Sequence, residues 1–164
     1  MEIRQVTAQD VDLLVPLFDA YRMFYGQPSE PERVRAFLAE RIQRSQSVLF
    51  LALHDGTAVG FTQLYPSFTS MGLGPIFILN DLFVAPEARR HGAGAALLEA
   101  AAKYGRSKGA IRLALSTQLT NTTAQSLYER APWLNHSLRL DVGAPESLAM
   151  VTEKVRLLQD YLKT

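Results

Sequence analysis

The most constraining feature of this sequence is a strand-like run, Ile76–Val84, followed by a basic turn and a glycine-rich helix start. The run is almost continuously apolar, which is typical of a central strand covered on both faces. The residues of the turn and the helix start include Arg89, Arg90, His91, Gly92 and Gly94. Free amides at a helix N-terminus attract anions, and glycines let an anion approach the backbone closely. The segment therefore predicts a phosphate or pyrophosphate site.

Other interpretations of the glycine pair stay open on spacing alone. The glycines can serve only to turn the chain, with the arginines as solvated surface. A dinucleotide-binding fingerprint requires a third glycine, but Leu97 stands at that position. A P-loop requires a Gly-Lys-Ser/Thr sequence, which the chain lacks. Both nucleotide-binding patterns are therefore weak.

Hydrophobic periodicity predicts the element order β-α-α-β-β-β-α-β-α-β-α. Apolar residues at three- and four-residue spacing indicate two helices before Val48, and Asp55-Gly56 indicates a tight hairpin. We expect a loop over Pro66–Pro75 and a last amphipathic helix at about 145–163. This order predicts an α/β (α+β) fold with a mixed sheet flanked by helices.

Length and composition exclude several classes of protein. A chain of 164 residues predicts one domain, 1–164, with the last helix as an appended element. Seventeen Lys and Arg against sixteen Asp and Glu give a net charge of +1, which disfavours a nucleic-acid partner. The absence of cysteine excludes thiolate zinc sites and cysteine nucleophiles, and the three histidines lack metal-ligand spacing. The longest apolar run, Val48–Leu53, is too short to cross a membrane, so we expect a cytoplasmic protein.

Two motifs resemble those of a known family. The sequence Arg89-x-x-Gly92-x-Gly94, preceded by Asp81-Leu82-Phe83-Val84-x-Pro86, resembles the acyl-CoA-binding motif of the GNAT superfamily of N-acetyltransferases. A second match, Asn121-x-x-Ala124-x-x-Leu127-Tyr128, follows at the expected distance. The run Ile78–Val84 looks most like the branch that contains the diamine (polyamine) acetyltransferases. The resemblance implies a mostly antiparallel sheet and acetyl-CoA as the acyl donor.

The resemblance also implies how acetyl-CoA binds. The amides of the basic turn would hold the pyrophosphate, and the pantetheine arm would lie along the apolar strand. The neighbouring strand, around Ser116 and Thr117, would diverge and leave that edge free. The implied cofactor-binding residues are Leu82, Phe83, Val84, Arg89, Arg90, His91, Gly92, Ala93, Gly94, Ala95 and Asn121.

The resemblance implies a catalytic role for two residues. Tyr128 matches the general acid that protonates the departing thiolate; its alternative is an aromatic side chain that packs on the sheet. Asn80 stands where the polyamine branch often has a glutamate, and we expect it to orient a water or to bind the amine. Strand alternation predicts that Asp81 points to the opposite face, as a structural acceptor. The general base is left open.

The resemblance implies that the acceptor contacts residues of the first helix and of the strand before the loop: Tyr21, Arg22, Tyr25 and Tyr65. Aromatic residues at helical spacing are also typical of a core. Helix one offers only Asp19 as a carboxylate, which disfavours a polyamine, and Arg22 suggests an acceptor that carries a carboxylate.

We therefore predict an acetyl-CoA-dependent N-acetyltransferase that acts on a primary amine of a small molecule or peptide. The alternative is an inactive acyl-CoA-binding protein that serves as a sensor or interaction module, because Asn80 replaces an acid. The last helix is expected to pack on its own sheet, or, as a second interpretation, to pair in a homodimer through Leu148, Val151, Val155, Leu158 and Leu162.

Overall fold

The computed structural model describes residues 1–118, 121–130 and 135–139. The chain divides into two compact units. The first comprises residues 1–115 with a short stretch ending at Asn135, and the second comprises 116–132 with the residues from 136 onwards. The predicted helix at 145–163 lies outside the described residues, and the single domain stays a prediction.

The elements follow the predicted order. The strands are β1 (Glu2–Gln5), β2 (Val48–His54), β3 (Thr57–Thr69), β4 (Gly74–Val84), β5 (Arg112–Gln118) and β6 (Asn135–Arg139). The helices are α1 (Val11–Phe24), α2 (Pro31–Gln43), α3 (Ala93–Ser107) and α4 (Thr122–Glu129), with single 3₁₀ turns at Ala8–Asp10 and Pro86–Ala88. The strands are arranged in the sheet order β1-β2-β3-β4-β5-β6.

The sheet is mixed and mostly antiparallel, as predicted. Strands β1 to β4 pair antiparallel with their neighbours, and β4 pairs parallel with β5. The β2–β3 turn has positive φ at both Asp55 (49°) and Gly56 (78°), which is the backbone that a tight two-residue hairpin requires.

The predicted loop over Pro66–Pro75 is wrong. Strand β3 continues through Thr69 and pairs with β4 from Gly74 onwards, so that only residues 70–73 form the turn. The pairing of β3 with β2 ends at Leu64, and beyond it β4 is the only partner strand of β3 among residues 1–118, 121–130 and 135–139. Pro66 is tolerated there because a strand with one free edge does not need every N–H.

Each face of the first unit's sheet packs against different helices. Leu51 and Phe61, fully buried, belong to a core cluster with residues of α1 and α2. On the other face, the rings of Phe50 and Phe77 pack edge-on against Tyr104 of α3, at centroid distances of 5.8 and 5.5 Å. Strand β4 therefore lies between two helical layers.

Candidate functional site

The segment between β4 and α3, here called the basic loop (residues 89–92), reverses the chain through two left-handed residues. Arg90 has φ +68° and Gly92 has φ +83°. A Cβ built on Gly92 would meet no atom within 4 Å, so the space beside this backbone is open. The Nε of Arg89 donates to the carbonyl oxygen of Val84 at 3.1 Å and ties the loop to the end of β4.

Helix α3 presents its first turn to this open space. The first hydrogen bond that closes the helix runs from the Ala96 N–H to the Gly92 carbonyl at 3.0 Å. The amides of Ala93, Gly94 and Ala95 precede it and have no acceptor within the helix. With Arg89, Arg90 and His91 exposed beside them, these amides fit an anionic group such as a pyrophosphate.

One edge of β4 is open near the basic loop. In the described part of the chain, β5 pairs with β4 only from Ile76 to Leu79, although β4 continues to Val84. The opposite edge pairs with Gly60–Gln63 of β3. A free strand edge can bind an extended ligand through its backbone, as the resemblance implies for pantetheine.

A β-bulge interrupts β4 beside this open edge. Gln63 of β3 pairs with Asp81, but the next residue, Leu64, pairs with Leu79, so Asn80 is the extra residue. The bulge exchanges the two faces of the strand. Phe77 therefore contacts Tyr104 of α3. Phe83, an even number of residues further on, lies on the opposite face, with its ring centroid 6.1 Å from that of Tyr21 in α1.

The bulge corrects the prediction for Asp81. Simple alternation placed its side chain on the face opposite Asn80, but both side chains line one cavity. The Nδ2 of Asn80 donates to Oδ2 of Asp81 at 3.1 Å. The prediction was wrong because alternation holds only in an uninterrupted strand. A buried carboxylate therefore lies beside Asn80.

This cavity, here called the α1–α2 cavity, has a volume of about 300 Å³. It is bounded by α1, α2, β3 and β4, and its walls are mainly aromatic with three charged side chains. The lining residues are Phe18, Tyr21, Arg22, Arg33, Val34, Phe37, Tyr65, Asn80 and Asp81.

The cavity brings together four residues that the sequence predicted for two different roles: Tyr21, Arg22, Tyr65 and Asn80. Tyr25 does not line it, although its ring contacts that of Tyr21 at 5.1 Å. Sequence reasoning missed Arg33 and Phe37 of α2. The two residues are four positions apart, so they share one face of the helix. That face overlaps only in part with the one that buries Leu38, and this offset was the available signal.

Arg22 lines the cavity but is held by the loop between α1 and α2. Its Nη2 donates to Oε2 of Glu30 at 2.6 Å, and its Nη1 donates to the carbonyl oxygen of Pro28 at 3.2 Å. Asp19 lies 3.7 Å from the same guanidinium and accepts from Ser29 Oγ at 2.6 Å. The hydrogen bond from Ser29, followed by that from the Glu30 N–H and the charge of Arg22, lowers the pKa of Asp19.

The charges around the cavity affect two further groups. Hydrogen bonds from Arg22 and then Arg33 lower the pKa of Glu30. Burial, with the negative charge of Asp81, raises the pKa of Tyr65 above its ordinary value, and Arg41 opposes that rise. Tyr65 is therefore a neutral phenol at physiological pH, available for hydrogen bonding.

The two remaining predicted site residues lie in the second unit. The side chain of Tyr128, in α4, is buried. The Oδ1 of Asn121 accepts from the Ala124 N–H at 3.1 Å and caps α4, as its position before the helix predicts.

The described residues contain neither a metal-binding cluster nor a membrane-spanning helix. No group of three or more His, Asp or Glu side chains among them is placed to hold a metal ion. None of the described helices has the length and apolar character needed to cross a membrane.

The comparisons with known proteins agree with this geometry. The model of the Acetyltransferase (GNAT) family matches residues 14–131, which include the basic loop and the α1–α2 cavity. The chain belongs to the GNAT family. Acetyltransferases of this family use acetyl-CoA as the acyl donor, and this chain is an N-acetyltransferase.

Individual relatives of this GNAT protein differ in how much is known of them. The uncharacterized N-acetyltransferase YhfO of Bacillus subtilis (strain 168) is 47% identical over 79% of this chain and 87% of its own length. An aminoglycoside N(6')-acetyltransferase type 1 of Klebsiella aerogenes is 35% identical over 58% of this chain and 64% of its own. A solved structure of a probable acetyltransferase is 45% identical, with a TM-score of 0.78 over 84% of this chain and 92% of that one.

Proposed function

We propose that this protein transfers the acetyl group of acetyl-CoA to a primary amine of a small molecule or peptide by direct attack. One observation carries the proposal: β4 leads to an anion-binding loop at its end and contributes a buried carboxylate to a cavity beside its middle. Asp81 and Val84 are separated by about 10 Å of extended chain, so one strand serves both substrates.

For the donor, we assign the pyrophosphate to the basic loop and the pantetheine arm to the open edge of β4. The left-handed backbone at Arg90 and Gly92 and the first-turn amides of α3 support the first assignment. The pairing of β5, which stops at Leu79, supports the second. The residues assigned to acetyl-CoA are Leu82, Phe83, Val84, Arg89, Arg90, His91, Gly92, Ala93, Gly94, Ala95 and Asn121.

For the acceptor, we assign the amine to the Asn80–Asp81 side of the cavity. A primary amine has a pKa of about 10 and is mostly protonated at pH 7, so it must lose a proton before attack. Asp81 binds the ammonium group and takes up that proton, and Asn80 orients the Asp81 carboxylate through their hydrogen bond. The aromatic walls, including Tyr21 and Tyr65, favour a cation beside them.

The transfer then moves one further proton from nitrogen to sulfur. The amine nitrogen forms a bond to the carbonyl carbon, the carbon–sulfur bond breaks, and the thiolate accepts a proton from the hydroxyl of Tyr128. The nitrogen loses its second proton as the amide forms, and this proton restores the Tyr128 hydroxyl through solvent. No covalent enzyme intermediate is required, in keeping with a sequence that has no cysteine. The buried carboxylate of Asp81 favours this activity over the inactive acyl-CoA-binding alternative, which rested on the lack of an acid at Asn80.

The narrower expectations from the sequence belong to this proposal. The likeness to the polyamine branch concerns the β4 motif, and among the described residues Asp81 is the only carboxylate that lines the cavity. We therefore propose that the acceptor of this protein is not a polyamine. We retain a cytoplasmic location, and a homodimer as the second interpretation of the last helix.

The test is release of free thiol from acetyl-CoA with a panel of primary amines, for the wild type and for Tyr128→Phe. We expect release with at least one amine and a loss of about 10²- to 10⁴-fold in kcat for the variant, because general acid catalysis is removed. Tyr104→Phe, which removes a hydroxyl from the ring packed on Phe50 and Phe77, is the control and should keep full activity. Acetyl-CoA binding without thiol release from any amine would instead support the inactive binder.

A further inference from the structure

We propose that the acceptor is a zwitterionic primary amine, such as an amino acid, whose amine lies at Asp81 and whose carboxylate is bound by Arg33. This inference rests on the proposed function and specifies the substrate class of the same site. It depends on how the three charged residues that line the α1–α2 cavity, Arg22, Arg33 and Asp81, are placed.

The cavity is lined by a buried carboxylate and by an exposed guanidinium. Asp81 is 6% exposed and lies on β4, the strand to which we assign the acetyl donor. The side chain of Arg33, on α2, lines the same cavity and is 77% exposed. A molecule that carries an amine and an anionic group therefore matches both charges.

Arg33 is available to a ligand in a way that Arg22 is not. Only Nη1 of Arg33 has a partner among the described residues: it donates to both oxygens of Glu30, at 3.2 and 3.3 Å. Arg22 holds the same carboxylate at 2.6 Å and also bonds the Pro28 carbonyl. Arg22 thus keeps Glu30 in place, while Arg33 has nitrogens left to bind a carboxylate in the planar manner that a guanidinium favours.

The same charges disfavour a polycation. A diamine, polyamine or aminoglycoside that placed one ammonium group at Asp81 would bring its other ammonium groups towards Arg33. Like charges in this partly buried setting oppose binding, and no second carboxylate lines the described cavity. We therefore expect the acceptor of this protein to differ from that of its relative, the aminoglycoside N(6')-acetyltransferase.

The experiment compares amines that differ only by a carboxylate. Glycine, alanine, leucine and phenylalanine are each tested against the amine that lacks the carboxylate: methylamine, ethylamine, 3-methylbutylamine and 2-phenylethylamine. Spermidine and one aminoglycoside complete the panel. Rates of thiol release are compared at equal concentrations of the neutral amine, since the amine pKa values differ within each pair.

Two variants on one helix isolate the role of Arg33. Arg33→Gln removes the proposed carboxylate ligand, whereas Arg35→Gln removes an arginine that pairs with Asp12 and Glu32 and does not line the cavity. We expect the wild type and Arg35→Gln to prefer the amino acid by about two- to fivefold in kcat/KM, the range of an exposed ion pair. Arg33→Gln should lose that preference, through a higher KM for the amino acid.

The outcomes distinguish this inference from the function on which it rests. Equal or better use of the decarboxylated amines, or preference for spermidine or the aminoglycoside, overturns the zwitterion while the N-acetyltransferase stands. The same holds if Arg33→Gln keeps the wild-type preference. Thiol release with no member of the panel, although acetyl-CoA binds, contradicts both.

Discussion

The basic loop and the α1–α2 cavity are built from different parts of the chain. The basic loop uses consecutive residues, left-handed backbone and helix amides, with its side chains exposed. The cavity is made of side chains from four elements, between Phe18 on α1 and Asp81 on β4. On our proposal, the first site would bind any ligand with the same phosphate group. The second would depend on individual side chains, and acceptor specificity would arise there.

This contrast predicts that the two sites respond independently to mutation. A substitution in the cavity should alter transfer without altering acetyl-CoA binding. A change of backbone conformation in the basic loop should alter binding of every CoA derivative equally. The first two predictions below test this independence, and the third tests the stability of the loop between α1 and α2 that holds Arg22. They run from the largest expected effect to the smallest.

Asp81→Asn should lower kcat/KM for the amine by about 10²- to 10⁴-fold, because the group that takes up the proton is lost. The thermal shift with acetyl-CoA should remain that of the wild type. Asp55→Asn is the control, since Asp55 lies in the β2–β3 turn with its side chain 92% exposed. Loss of the acetyl-CoA shift in Asp81→Asn would contradict the independence of the two sites.

Gly92→Val should abolish stabilisation by acetyl-CoA, because a branched side chain fills the open space and opposes the left-handed backbone. At 100 times its dissociation constant, the ligand should stabilise the wild type by about 2.7 kcal/mol, measured as a shift in Tm. Gly109→Val is a close control: Gly109 also has positive φ (70°) and no atom within 4 Å of a built Cβ. Both variants lose stability from backbone strain, but only Gly109→Val should retain the full shift.

Ser29→Ala should reduce the free energy of unfolding by about 1.5 kcal/mol near pH 7, because the hydrogen bond to the charged Asp19 is lost. The pKa of Asp19 is lowered in the folded state, so its contribution to stability is present above its unfolded pKa and is lost as the pH falls. Denaturant unfolding at pH 7 and pH 3 should therefore show a difference between wild type and variant that shrinks in acid. Ser70→Ala, in the exposed β3–β4 turn, should show no such pH dependence.

Much of the fold was predictable because each element carries its own signal. The short apolar, β-rich run of β2 and the Asp55-Gly56 pair define a hairpin within ten residues, and Gly92 marks the start of α3. These signals are local, and so is the basic loop. The extension of β3 to Thr69 was not predictable, because it depends on which neighbour each strand edge has rather than on the residues between Pro66 and Pro75.

The arrangement of the cavity was not predictable from the sequence for a similar reason. The bulge at Asn80 is a property of the register between β3 and β4, and neither strand shows it alone. The availability of Arg33 depends on Glu30 being already bound by Arg22 across the loop. Contacts between distant residues decided both features, and a single sequence does not record such contacts.

The extra residue in β4 affects how this protein can vary during evolution. Phe77 and Phe83 lie on opposite faces although an even number of residues separates them, because Asn80 stands outside the pairing with β3. Deletion of Asn80 would place Phe83 an odd number of residues after Phe77, so ordinary alternation would keep both rings on their present faces. Asp81 would likewise still face α1, but without the hydrogen bond from Asn80. The strand can therefore lose this one residue without exchanging its faces, whereas loss of any paired residue would shift the register.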